Sequence, residues 1–405
     1  MSRPIARRCR AAAPAGCISL LLCAAALPAA KSAFAGDGDV FTAIVAADIY
    51  RDDNVFRLPE NFNLLAFAGS RARGDTLRST GLTLRFDKPI GRQNLLIEGR
   101  LRSIRYDRYD YLDHDRRDYT ARFKWQLGNR LQGDVYRERT QQLTDFGDFR
   151  LPMQNIRSQV DTGVSARWWL HANWYLTARA SRIESANSSA PRRPLDNTAD
   201  IAEAGVLYRT GGGNEIGFVL RETDGDYPAN AAARYRLRVA ELRGLWQVSG
   251  KSTFRGNFGR AERDHPLSPG RDYRGANGRL SWDWAISGKT ALNVTVRREL
   301  SAYQDFVTNF TVTDAVSIAP TWRPTEKLGL FLSFERSRRD YVGDINPLIN
   351  YHRLDALRSA ALTAVWDPWR SLRLTASLRR ELRDSNDNAF DYKANGAFLA
   401  AQLTF

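Results

Sequence analysis

From about residue 40 onward the chain alternates apolar and polar side chains at period two, and this pattern most narrows what it can fold into. Period two belongs to strands with two unlike faces. In GLTLRF, Leu82, Leu84 and Phe86 share one face, while Thr83 and Arg85 take the other. LLIEGRLR sets Leu95, Ile97, Gly99 and Leu101 against Glu98, Arg100 and Arg102. YTARFKWQL sets Tyr119, Ala121, Phe123, Trp125 and Leu127 against Thr120, Arg122, Lys124 and Gln126. Further on, Leu292, Val294 and Val296 oppose Asn293, Thr295 and Arg297. Leu372, Leu374, Ala376 and Leu378 oppose Arg373, Thr375, Ser377 and Arg379. Helical spacing fits none of these segments.

The connections between strands alternate too, short then long. Gly128-Asn129, Ser249-Gly-Lys251, Ser287-Gly-Lys289 and Asp367-Pro-Trp369 mark tight turns, several with the Gly or Asn that positive φ requires. Between them lie longer polar segments such as TQQLTDFGDFRLPMQN and NSSAPRRPLDNT. Segments between connections number about 18, within a range of about 16–20, and an even count with short turns on one rim and long loops on the other matches a transmembrane β-barrel. A soluble β-sandwich also alternates, but the tryptophans argue against it. All ten, from Trp125 to Trp369, fall near the short turns. A soluble core would spread them along the strands, whereas an aromatic girdle at one membrane interface concentrates them. The expected fold is an all-β, single antiparallel barrel with short periplasmic turns and long extracellular loops.

The amino-terminal stretch agrees with export. MSRPIARRCR is basic, residues 11–30 are apolar, and Ala33-Phe34-Ala35 forms a small-x-small cleavage site, so residues 1–35 read as a secretory signal peptide. Its removal takes five basic residues and no acidic ones, lowering the formal charge from +15 to +10 (15 − 5). All three cysteines, Cys9, Cys17 and Cys23, lie inside it, and neither Cys17 nor Cys23 has the full lipoprotein pattern. The expected mature protein, residues 36–405, is one cysteine-free barrel in the bacterial outer membrane. Mean hydropathy is −0.46, and no later segment approaches the roughly 18 consecutive apolar residues of a membrane-spanning helix.

Motifs suggesting chemistry are weak. Gly250-Lys251-Ser252 and Gly288-Lys289-Thr290 look like the end of a phosphate-binding loop, but the required earlier glycine is replaced by Leu245 and Asp283. The four histidines, His114, His171, His265 and His352, lack metal-ligand spacing. His114 lies among Asp110, Asp113, Asp115 and Asp118, a set open to Ca²⁺ binding or a hydrolase role; the competing reading is a solvated loop balanced by Arg108, Arg116 and Arg117. No catalytic residue, cofactor or metal is expected.

The basic excess points to the lumen. Seven of the 60 basic residues are lysine and the rest arginine. Twelve cations are expected on the face opposite the apolar one: Arg85, Arg100, Arg102, Arg122, Lys124, Arg179, Arg236, Arg238, Arg255, Arg297, Arg373 and Arg379. In a wet lumen such side chains tune selectivity, and guanidinium forks suit carboxylates and phosphates. Equally, they would pair with luminal Glu98, Asp134, Asp283 and Glu335. Nucleic acid is not an expected partner.

Two stretches carry resemblances. FLAAQLTF places Leu399, Ala401, Leu403 and Phe405 on one face and resembles the carboxyl-terminal strand of bacterial outer-membrane barrels, which implies recognition by the barrel assembly machinery. Near the start, ADIYRDDNVFRLPE resembles the "D-D-N-x-F-R-L" signature of the EpsL-type barrels of exosortase-associated exopolysaccharide operons, through Asp52, Asp53, Asn54, Phe56, Arg57 and Leu58. That resemblance implies an outer-membrane component for synthesis or export of a polysaccharide; joined to the arginine count, the expectation is passage of an anionic polysaccharide through an arginine-lined pore, with periplasmic export partners and outer-membrane lipids around it. The stretch itself reads either as a rim turn presenting Arg57 to sugar carboxylates or as a turn merely capped by Asp53 and Asn54 through side-chain to backbone bonds. The alternatives are a general or anion-selective porin for small solutes, an outer-membrane hydrolase, and a plugged scaffold.

Overall fold

A computed structural model of the protein describes residues 39–303, 308–344 and 352–405. The signal-peptide expectation for residues 1–35 lies outside the described residues. Eighteen antiparallel strands of 12 to 17 residues form one sheet, each pairing with its neighbours in sequence. The sheet closes where β1 (Phe41–Asp52) meets β18 (Tyr392–Thr404), from Ile44 opposite Thr404 to Asp52 opposite Gly396. The last residue joins the seam: the Phe405 amide donates to the Ala43 carbonyl at 2.8 Å, and the Ala43 amide to the Phe405 carbonyl at 3.0 Å. No edge is left open, as a barrel in lipid requires. Leu399, Leu403 and Phe405 point outward and are exposed.

The alternation becomes an outer apolar band and a polar lumen. Leu101, Leu242, Phe258, Leu280, Leu378 and Leu399 are all more than half exposed, as lipid-facing side chains are when lipid is absent. Their sequence neighbours turn inward. At the short-turn rim, Trp168, Trp174, Trp246, Trp322, Trp366 and Trp369 project outward as a girdle. Trp169 instead turns in, 4.7 Å from the ring of Tyr175. Trp125 lies over Gly133, its partner across β4 (His114–Leu127) and β5 (Leu131–Leu143). A Cβ at Gly133 would come within 2.6 Å of the indole, so only glycine admits the ring there.

A strand needs about 9–11 residues to cross the hydrocarbon. These strands are longer, and the excess stands above the apolar band on the long-loop side. There the polarity of the two faces inverts, because the outside meets headgroups and water while the inside meets packed loops. On β10 (Tyr235–Ser249), Val239 is buried inward, while Arg236 and Arg238 share the outward face of Leu242 and Trp246. Their partners are also outward: Arg236 meets Asp224 at 2.6 Å and Arg238 meets Glu222 at 3.0 Å. The expected luminal placement of Arg236 and Arg238 is therefore corrected. In RLRV, Leu237 and Val239 mimic a lipid face, but the parity of the strand is set lower down.

The face assignment has a direct test. Leu378→Arg, at mid-band, should cost about 2–4 kcal/mol of folding free energy in bilayers, whereas Ser377→Arg, in the wet lumen, should cost far less. Denaturant titration of both variants refolded into vesicles measures the difference, and equal losses would refute the assignment.

Candidate functional site

Ten of the twelve expected cations do face the lumen, and the wall holds most of them in ion pairs. Arg85 contacts Asp87 at 2.5 Å and Glu98 at 3.8 Å, and Arg100 also reaches Glu98. Arg102 binds Asp48 and donates to the Ser79 hydroxyl at 2.8 Å. Arg122 bridges Asp134 and Glu138, and Lys124 stands in register with Asp134. Arg179 reaches the Tyr136 hydroxyl at 2.5 Å and Asp161 at 3.7 Å. Arg255 pairs with Asp283, Arg373 with Asp367 at 2.7 Å, and Arg379 with Glu381 at 2.7 Å. Arg297 grips Glu335 through two bonds of 2.8 Å each. The pairing alternative is thus present for all four acids that the sequence nominated.

The acidic set around His114 does not converge. Asp113 accepts from the Tyr106 amide at 2.7 Å, Asp115 faces outward against Arg105 at 3.0 Å, and Asp118 takes Arg116 at 3.0 Å. Among the described residues no cluster of three or more His, Cys, Asp or Glu side chains could hold a metal.

The residues that shape the pore come largely from segments that read as loops. The first long loop, residues 53–74, bends inward at the DDNVFRL stretch. Arg57 adopts φ +54°, a left-handed conformation costing of order 1–3 kcal/mol for a residue with a Cβ. Its guanidinium makes a bidentate pair with Asp52 at 2.9 and 2.8 Å, and reaches Glu381 at 3.5 Å. Burial acts against the charge, but Asp52 and Glu381 outweigh it and hold the Arg57 pKa well above its ordinary value. Asn54 ties the turn together, donating to the Leu58 and Lys393 carbonyls at 2.9 Å each. Asp53 accepts from the amide and side chain of Asn395 at 2.6 and 2.7 Å, fixing the loop to β18. Arg57 is only 5% exposed, so the expectation that it is presented to passing sugars is corrected.

Phe56 and Leu58, from the same stretch, are buried in an apolar cluster that plugs one side of the mouth. Phe56 meets Tyr109 and Phe146 edge-on at 4.8 Å each and Phe67 at 5.8 Å. Such aromatic pairs contribute about 0.5–1.5 kcal/mol each beyond area burial. Phe67 lies on a short helix, α1 (Leu64–Ala68), and Phe146 on the loop joining β5 to β6 (Ile156–Trp169).

That loop, residues 144–155, reaches across the lumen. It leaves one wall and fastens on β15 (Leu328–Asp344) and β17 (Leu372–Ser385), which lie nine and seven strands around from β6 in a ring of 18. Asp148 pairs with Arg339 at 3.3 Å and Arg383 at 3.2 Å, and Arg383 donates to the Gly147 carbonyl at 2.6 Å. Behind them, Asp355 on β16 (Leu354–Trp369) holds Arg353 at 2.6 Å and Arg383 at 3.5 Å. Arg150, stacked 4.4 Å over the Phe390 ring, donates to the Ala389 carbonyl and to the Arg57 carbonyl.

The two acids of the loop behave oppositely. Burial and the neighbouring Asp148 push the Asp145 carboxyl up. Burial would do the same to Asp148, but Arg339 and Arg383 overcome it and hold it below the ordinary 3.8. Burial beside Arg383 and Arg353 lowers Arg150 to about 10, which leaves it charged at neutral pH. The sequence carried one signal for this loop: Phe146 and Phe149, two aromatics set among Asp145, Asp148 and Arg150.

No protein-family model matches the chain, and no curated protein matches it in sequence. Solved structures match in fold. OpdK from Pseudomonas aeruginosa superposes with a TM-score of 0.51 at 12% identity, over 90% of this chain and 99% of that one. OccK2 (OpdF) from the same organism, in complex with glucuronate, gives a TM-score of 0.52 at 13% identity, over 90% and 98%. OpdK with vanillate gives 0.50 at 12%, over 90% and 99%. These neighbours are outer-membrane porins, and the likeness establishes the shared barrel fold.

Asp148→Asn should free the loop, because it leaves Arg339 and Arg383 buried without their counter-charge, a loss of about 3–5 kcal/mol for a broken buried pair. Limited proteolysis within residues 144–155 should rise sharply while the barrel stays resistant; unchanged protection would refute the latch. Acid should act likewise. Because the folded pKa of Asp148 is depressed, its contribution is present above 3.8 and lost as pH falls through its lowered value. Asp145, with its raised pKa, takes up its proton first without loosening the latch. Protease protection measured from pH 6 down to about 2 should therefore persist to below the ordinary carboxylate pKa of about 3.9 before it collapses.

Proposed function

We propose that the protein is an outer-membrane diffusion porin for small anionic solutes, chiefly carboxylates. The observation that carries this reading is the loop of residues 144–155, pinned to the far wall by Asp148, Arg339 and Arg383. A crossing loop narrows the aperture for polymers and leaves small solutes a path along the wall. Much of that wall presents half-exposed guanidinium groups, such as Arg85, Arg100 and Arg255, beside their carboxylates. Such pairs on a wet wall are worth only about 0–1 kcal/mol, so an arriving carboxylate competes for the arginine and is released as easily.

The charge balance of residues 36–405 remains basic. The complexes of OccK2 with glucuronate and of OpdK with vanillate support small carboxylates as the solute class for a barrel of this fold. Polysaccharide passage draws less support. The motif that suggested it is spent on the Arg57–Asp52 hinge and on the Phe56 cluster.

Single-channel recording in planar bilayers tests the reading. Small anion-selective currents, reduced by millimolar glucuronate and enlarged in Asp148→Asn, are expected. Cation selectivity, or block by acidic polysaccharides with no response to small carboxylates, would overturn it.

A further inference from the structure

The outer surface carries a feature that no pore uses. From β8 (Asn197–Arg209) past β9 (Glu215–Asp226) to β17 the outward wall forms an open groove of about 1540 Å³ with a mostly apolar surface. That exceeds the roughly 300–1,000 Å³ of small-molecule pockets. Gly244, Gly256 and Gly278 supply a floor without side chains, and Leu242, Phe258, Leu280 and Val316 form the walls. The lower end lies at the tryptophan girdle, beside Trp246.

The upper end is cationic. Arg298 on β13 (Thr290–Ala302) faces Asp314 on β14 (Thr308–Trp322), which faces Arg338 on β15, while Arg336 stands opposite Arg358 on β16. Two of these four arginines have a carboxylate: Arg298 with Asp314 at 3.7 Å, and Arg358 with Asp384 at 3.4 Å. Among the described residues, Arg336 and Arg338 pair with none. Arg336 comes eight residues after Leu328, the girdle end of β15, which is about 27 Å along the strand and about 20 Å in height at a 40° tilt. It therefore sits about 5 Å below the top of an apolar band about 25 Å tall, from where a long arginine side chain reaches the anionic headgroups.

We propose that this groove binds a phosphorylated, multiply acylated glycolipid of the outer leaflet. Its acyl chains lie over the glycine floor, and its phosphates rest on Arg336 and Arg338, with Arg298 and Arg358 beside them. Guanidinium forks suit phosphate oxygens in bidentate fashion. Long-loop rims face the outer leaflet in barrels of this kind, which selects that leaflet's glycolipid as the occupant. The proposal rests on the outer-membrane placement and not on what the lumen carries.

The test uses the mature protein refolded in detergent micelles, folding being verified by heat-modifiable electrophoretic mobility. Equilibrium binding is measured with diphosphoryl lipid A, monophosphoryl lipid A and phosphatidylcholine. Diphosphoryl lipid A should bind about tenfold or more tightly than either of the others, and R336Q/R338Q should lose about that factor. The single variant R338Q should show part of the loss, R105Q/R117Q none, and single-channel conductance should be unchanged in all of them. Equal binding of the three lipids, equal binding by wild type and R336Q/R338Q, or cross-linking of the groove to a second copy would overturn the site.

Discussion

Every backbone N–H and C=O that enters hydrocarbon must find its partner inside the protein, and the seam between the first and last strands is where this chain meets that demand. Nine register pairs join β1 to β18, and the terminal carboxyl residue closes the row against Ala43. Were the seam open, two strand edges would face lipid, and no side-chain packing elsewhere would compensate. The lumen, the long-loop mouth and the outer band all presuppose this closure. The Asp53–Asn395 contacts extend it above the membrane, so the hinge of the first loop is built on the same seam.

A second constraint is height. Within the apolar band the outward face must be hydrophobic and the lumen can be charged. Above the band, outward side chains meet headgroups and water, and inward ones meet folded loops. One strand therefore obeys one rule over its lower two-thirds and the opposite rule over the rest. Arg236 and Arg238 stand outward in ion pairs while Val239 is buried between them and the loops. Ladders of outward charge on β9 and β10, and the arginines of β13 to β16, are the same inversion seen at different points of the ring.

The lumen is a wall of compensated charge, not a bare arginine ladder. Most of its nominated cations hold carboxylates, so the charge it presents is largely balanced. Burial separates the two kinds of pair present. Wall pairs such as Arg255–Asp283 are wet and exchangeable. The latch of Asp148 with Arg339 and Arg383 is dry, and breaking one partner strands the other charges. The second kind holds a loop in place.

The sequence by itself determined the barrel. Period-two alternation, short and long connections in turn, tryptophans at one rim and an apolar final strand are local patterns, and each follows from the bilayer acting on a strand two residues at a time. They also sufficed to place ten of the twelve nominated cations in the lumen. What tertiary structure alone decided is everything that depends on residues far apart in sequence. The DDNVFRL stretch reads equally as a rim turn presenting Arg57 and as a turn capped by Asp53 and Asn54, and only the arrival of Glu381 and Asn395 from the far end of the chain buries Arg57 as a hinge. Asp148 looks like any loop acid until the ring brings Arg339 and Arg383 across from it. Pattern reports a strand's own environment, whereas a latch, a hinge and a groove are made by the curvature that brings distant strands to face one another.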